Sequence, residues 1–96
     1  MAGWSVYIIE CDDGSLYTGI STDVERRFKQ HFTHRGAKFF RTRQPRCLVF
    51  VETGHDRVSA GRREALIKKM KRSEKLNLVG AYSLQLTQEG IDILVM

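Results

Sequence analysis

The chain reads as one small α/β domain, and three observations predict it. It has 96 residues, 42% of them hydrophobic, with 8 glycines and 1 proline. That is enough for one core and too little for two. Segments at residues 5–10, 15–20 and 47–52 alternate or run apolar in the manner of strands. Other segments repeat apolar side chains every three or four residues, as helices do. A charged fraction of 28% beside so little proline excludes disorder over the whole length. The main domain is expected over residues 1–80, with 81–96 as a C-terminal tail.

The first strand is expected at Ser5–Glu10 and the second at Ser15–Ile20, joined by Asp12-Asp13-Gly14. The length of that loop decides what the two strands present. A two-residue turn at Asp13-Gly14 would put Tyr7 and Tyr17 on opposite faces. A three-residue loop with Gly14 in the left-handed region pairs Tyr7 with Gly19 and Tyr17 with Ile9, so both phenols share one face. The longer loop is the expectation, because it leaves Val6, Ile8, Leu16, Thr18 and Ile20 together on the other face as an apolar set. Thr22-Asp23-Val24-Glu25 reads as a capping box, with the Thr hydroxyl on a backbone amide and Glu25 reaching back. The helix it opens carries Val24, Phe28 and Phe32 as a core stripe, with Arg27 and His31 along its edge and Arg26 in solvent.

From Arg35 to Arg46 runs a basic connection holding Gly36 and Pro45, with a short helical turn expected within it. Cys47–Glu52 is the third strand, apolar throughout apart from its last residue and so expected to be covered on both faces. Ser59 or Asp56 can cap a helix to about Arg72, with Ala60, Ile67 and Met70 as core positions. A short helix from Ser73 to Val79 should stop at Gly80. In the tail, Tyr82-Leu84-Leu86 and Ile91-Ile93-Val95 alternate about Gln88-Glu89-Gly90, which allows a small extra hairpin.

Charge says more about function than composition does. The net charge is +5, but all 16 Lys and Arg fall between Arg26 and Lys75, where only four acids stand. Between Arg26 and Val51 there are eight basic residues and no acid, with Phe28, Phe32, Phe39 and Phe40 interleaved among the charges. Such a stretch favours a polyanionic partner, and nucleic acid over a membrane surface, since the charges do not lie on one long amphipathic helix. No apolar run is long enough to span a bilayer. Glu10, Asp12 and Asp13 come too soon after Met1 for a secretory signal. Cys11 and Cys47 are neither a disulfide framework nor spaced as metal ligands, and read as reduced thiols of a cytoplasmic protein.

Two tyrosines, an arginine, a histidine and an isolated glutamate suit phosphodiester chemistry. The arginine's planar fork matches phosphate oxygens. A lone carboxylate can hold Mg²⁺, which keeps most of its waters. A tyrosine can serve as a base if nearby positive charge lowers its pKa from ~10. Each residue also has a plainer reading: Tyr7 and Tyr17 as packed strand aromatics, His31 as a helix-edge hydrogen-bonder, Glu64 as half of a surface pair with Lys68.

Ser5-Val6-Tyr7, followed ten residues on by Tyr17-Thr18-Gly19, resembles the paired tripeptides of the GIY-YIG endonuclease superfamily. Arg27, His31 and Glu64 follow at matching places. Gly36-Ala37-Lys38, Arg41-Thr42-Arg43-Gln44-Pro45 and Arg72-Ser73-Glu74-Lys75-Leu76 resemble its small stand-alone bacterial members. The resemblance covers residues 4–79. The first tripeptide keeps only its tyrosine, Thr18 replaces isoleucine, and Phe40 stands where threonine is common.

The resemblance implies a three-stranded, largely antiparallel sheet flanked by helices, and metal-dependent hydrolysis of a DNA phosphodiester bond. It implies Tyr7 as general base, Tyr17 in support, Arg27 on the scissile phosphate, His31 in orientation or proton transfer, and Glu64 as ligand to Mg²⁺ or Mn²⁺. Gly19 would admit the DNA backbone, and Lys38, Arg41, Arg43 and Arg46 would contact it. With no separate DNA-reading module expected, selectivity would come from a partner protein, a homodimer or DNA shape, and a role in DNA repair fits. The alternative is a nucleic-acid-binding module on the same fold without catalysis. A protein-interaction scaffold would explain the fold but not the central charge. Nicking of supercoiled plasmid with and without a divalent ion separates enzyme from binder.

Overall fold

The computed structural model describes residues 3–33 and 38–88. The elements follow in the order β1 (Trp4–Cys11), β2 (Leu16–Ser21), α1 (Val24–Phe32), a 3-10 turn (Lys38–Arg41), β3 (Pro45–His55), α2 (Arg57–Lys68) and α3 (Arg72–Gln88). The sheet is antiparallel throughout, in the order β2-β1-β3.

The hairpin takes the three-residue loop. Gly14 has φ 83°, the Cys11 amide donates to the Ser15 carbonyl at 2.9 Å, and Tyr7 pairs with Gly19 as Ile9 does with Tyr17. Because side chains alternate along a strand, this register divides the core in two. On one face Val6 and Ile8 join Phe50, Ala60 and Ile67 beneath α2 and α3, with Leu16 and Ile20 packed alongside. On the other, Tyr7, Ile9, Cys11 and Phe40 are joined by Tyr17, Val24, Phe28 and Phe39 from β2, α1 and the 3-10 turn.

Several expectations are corrected. The cap of α1 is Asp23, not Thr22: its carboxylate accepts from the Arg26 amide at 3.1 Å, while Glu25 turns outward to pair with Lys29. Phe32 is 41% exposed and closes the stripe by an edge contact with Phe28. β3 runs from Pro45 to His55 as an edge strand, so Leu48 faces solvent and coverage on both faces is incomplete. Of the two caps expected for α2, Asp56 serves, in a reciprocal box with Ser59, but the helix ends at Lys68, short of Arg72. α3 continues through Gly80 to Gln88. Leu78, Val79 and Tyr82 all pack on the sheet, with Tyr82 against Phe50 at 5.5 Å between ring centroids. That burial outweighs the ~1 kcal/mol a mid-helix glycine costs. Tyr82-Leu84-Leu86 is therefore helical, and Ile91-Ile93-Val95 lies outside the described residues.

Candidate active site

β1, at the centre of the sheet, presents Tyr7 to the face covered by α1. The side chain is almost wholly buried, and its hydroxyl lies 3.0 Å from Nε2 of His31. His31 sits in the last turn of α1 and is itself fully buried, so it is not the edge residue its helical spacing suggests. Tyr17, half-buried on β2, stands beside both rings, with centroids 6.3 Å from Tyr7 and 5.3 Å from His31. The β1–β2 hairpin and the helix that follows it thus bring three of the expected residues into contact.

Gly19 explains how they fit. A Cβ there would fall 2.6 Å from the Tyr7 hydroxyl oxygen and 2.7 Å from Cζ. The space above Gly19 is filled by the phenol of its cross-strand partner, so on this face the glycine admits Tyr7 and not a DNA backbone.

Phe40 covers this cluster from the 3-10 turn. It is fully buried, 4.2 Å from the His31 ring and 4.9 Å from Tyr17, and Phe39 lies 5.3 Å from Tyr17. The position marked in the sequence only as a departure from threonine is an apolar wall of the site. Nothing local signals this, because two adjacent phenylalanines in a basic run look the same whether they face a ligand or a core.

Arg27 is half-buried and donates through Nη1 to Gln30 Oε1 at 3.0 Å, while Arg26 is exposed as expected. Glu64 approaches from α2 and keeps its plain partner too, Lys68, at 3.2 Å. Among the described residues no three metal-ligating side chains gather. A single, partly exposed carboxylate is nevertheless the donor that a hard, water-retaining ion such as Mg²⁺ needs, and Glu64 fits it.

Electrostatics correct one expectation. Burial pushes the Tyr7 phenol well above the usual tyrosine range, and Tyr17 adds to the rise; Arg27 pulls the other way and loses. Burial raises Tyr17 likewise, against Lys68 and Arg27. Positive charge alone therefore does not prime either tyrosine. His31 moves oppositely: burial, then Arg27, pushes its pKa from 6.5 down to about 4, so it is neutral at physiological pH. Its Nδ1 has no hydrogen-bond partner among the described residues.

This has a measurable consequence. Between pH 6.5 and about 4 the unfolded chain binds a proton on His31 that the folded chain refuses. Stability should therefore fall as pH drops through that window, by roughly 3 kcal/mol from this group. Denaturant titrations across the window should show a drop that His31→Gln flattens; equal pH dependence in the two proteins would refute it.

The expected DNA-contact residues separate into two kinds. Lys38 and Arg41 are exposed at the ends of the 3-10 turn, and Arg46 is exposed on β3. Arg43 is otherwise engaged, its Nε 3.2 Å from Asp13 Oδ2 and its guanidinium 4.3 Å from the centroid of Phe39.

Comparison with known proteins follows the same lines. The family model for the GIY-YIG catalytic domain matches residues 3–77. A UPF0213 protein of Desulfotalea psychrophila is 46% identical over 79 residues, covering 81% of this chain and 72% of the relative. Another, of Haloquadratum walsbyi, is 47% identical over 88 residues, covering 92% and 90%. The solution NMR structure of a UPF0213 protein of Bacillus halodurans is similar at TM-score 0.53 and 44% identity, over 81% of this chain and 83% of that one. That of the E. faecalis protein EF2693 is similar at TM-score 0.57 and 31% identity, over 88% of each.

Proposed function

The chain belongs to the GIY-YIG family, and from that premise we propose that it is a metal-dependent endonuclease hydrolysing DNA phosphodiester bonds, with a role in repair. The observation that carries this reading is the buried contact of Tyr7 with a neutral histidine, His31, at 3.0 Å. A phenol whose own pKa is raised is a poor base alone. In the tautomer that leaves Nε2 free, Tyr7 donates to His31, and the pair can move protons together. Tyr7 passes its proton to Nε2 as it takes one from the attacking water. The approaching phosphate, being anionic, favours the imidazolium this creates.

Arg27 holds the phosphate with its guanidinium, oriented by Gln30. Tyr17 narrows the space beside the attacking water. Phe40 keeps bulk water off His31, preserving it as a neutral acceptor. Glu64 would hold Mg²⁺ or Mn²⁺, and the ion when bound supplies positive charge at the scissile phosphate. Exposed Lys38, Arg41 and Arg46 offer point charges to the DNA backbone, which suits recognition of DNA shape over base sequence, aided by a partner protein or a second copy. Reduced Cys11 and Cys47 suit a cytoplasmic setting.

The test is nicking of supercoiled plasmid with Mg²⁺ or Mn²⁺ by the parent and by Glu64→Gln. The substitution keeps size and loses only a partly exposed pair with Lys68, worth less than about 1 kcal/mol. Cleavage should drop by about 10²-fold, equivalent to roughly 2.7 kcal/mol of transition-state stabilisation, while DNA binding at low salt holds. Equal cleavage by the variant removes Glu64 from the metal site. A parent inert with every divalent ion makes the binding module the better reading.

A further inference from the structure

A second concentration of positive charge lies where α2 ends and α3 begins. Lys68, Lys69, Lys71 and Arg72 are all exposed there. The fold fixes this corner beside the hairpin tip, because Arg72 Nη2 donates to the Gly14 carbonyl at 2.9 Å. Arg43 reaches the same tip through Asp13. Two basic segments far apart in sequence therefore flank one loop. The corner also adjoins the candidate active site, since Lys68 pairs with Glu64 at 3.2 Å.

Folding accounts for only part of this charge: Lys68 pairs with Glu64, Arg72 bonds to the hairpin tip, and Lys68 and Lys69 suit the negative end of the α2 dipole. Lys69 and Lys71 have no carboxylate partner among the described residues. Glu74, the nearest acid in sequence, spends an oxygen on the Lys71 backbone amide at 2.8 Å instead of its ammonium. Lys71 and Arg72 moreover stand at the positive end of the 17-residue α3, where the helix dipole opposes a cation. Exposed cations without a carboxylate partner, as Lys69 and Lys71 are, are candidates for work on a ligand.

We propose that this corner is a second phosphate grip, holding the backbone of a DNA duplex on one side of the hairpin tip while the scissile strand enters the Tyr7–His31 site. The inference rests on the endonuclease reading, and it extends the contact surface beyond Lys38, Arg41 and Arg46. Continuity with that site selects a DNA backbone over an acidic protein surface. The exposed groups at the corner are Lys and Arg, so the contact is to phosphate and independent of sequence.

Lys69→Ala with Lys71→Ala tests it, since the double variant leaves the Lys68–Glu64 pair and the Arg72–Gly14 hydrogen bond in place. Affinity for a defined DNA duplex is measured by fluorescence anisotropy over a salt series, without divalent ion, so that no cleavage intervenes. The log–log slope should become shallower by about 1.8, the loss of two phosphate contacts at ~0.9 each. Affinity at low salt should fall at least about tenfold, with the unfolding midpoint held or raised. Arg57→Ala, at the far end of α2, should change the slope far less. An unchanged slope in the double variant, with the parent binding normally, overturns the grip and leaves the nuclease reading standing. A slope change from Arg57→Ala of half the double variant's, the same per charge removed, shows that net charge alone is responsible and also overturns it. A parent that binds no duplex even at low salt overturns the DNA reading, and the grip with it.

Discussion

Tyr7→Phe is expected to lower DNA cleavage by about 10³-fold with the fold intact. The change removes one oxygen and keeps the ring that fills the space over Gly19, so packing on that face of β1 survives. What it removes is the only hydroxyl within hydrogen-bond reach of His31 Nε2 among the described residues. A buried imidazole with neither nitrogen paired should cost about 1–2 kcal/mol of stability, a modest part of what holds the domain together. Single-turnover nicking beside a thermal melt separates the two effects. A variant that melts a few degrees lower yet nicks at the parent rate would reduce Tyr7 to a packed strand aromatic and move the base elsewhere.

Gly19→Ala should be as damaging to cleavage and more damaging to stability. The added Cβ would meet the Tyr7 ring at three atoms, the farthest of them at 2.9 Å. The ring is buried at its edges by Tyr17, His31 and the β1 neighbours, so it cannot swing outward cheaply. It must shift along the sheet, and with it the hydroxyl leaves His31. Overpacking of this kind costs about 2–3 kcal/mol, and a misplaced Tyr7 should lose cleavage to the level of Tyr7→Phe. The decisive control is a double-mutant cycle. In a Tyr7→Leu background, where the phenol is gone, the same Gly19→Ala change should cost under about 1 kcal/mol. An equal cost in both backgrounds would mean that the glycine serves its own backbone, not its cross-strand partner.

These two residues also mark how much of the site was legible beforehand. That Tyr7 and Tyr17 share a face follows from the loop Asp12-Asp13-Gly14 and from strand alternation, both of which act over a few residues. The family resemblance then supplied Arg27, His31 and Glu64 as companions. It could not say that His31 is buried deeply enough to stay neutral, nor that burial overrides Arg27 at Tyr7, because desolvation is summed over everything that packs around a group. The role of Gly19 differs from the sequence expectation for a related cause. A glycine in a strand signals close approach, but whether the approaching group is a ligand or a neighbouring side chain is decided across strands.

Elsewhere the division is the same. The strands, the loop type, the presence of three helical segments, the 3-10 turn in the basic connection and the concentration of charge between Arg26 and Lys75 were all readable from local pattern and composition. The cap at Asp23 in place of Thr22, the length of α3 and the placement of charge were not. Gly80 is a stop signal in isolation; Leu78, Val79 and Tyr82 finding the sheet carried the helix past it. Arg43 looked like Lys38 and Arg41 until the hairpin tip brought Asp13 within 3.2 Å. Phe40 was one aromatic among several until the 3-10 turn laid it on His31. Periodicity, turn chemistry and charge are properties of neighbours in the chain, so the sequence determines them by itself. Which proton His31 refuses, which arginine stays free for DNA and which glycine makes room for a phenol depend on groups brought together across the chain, and only the packed tertiary structure decides those.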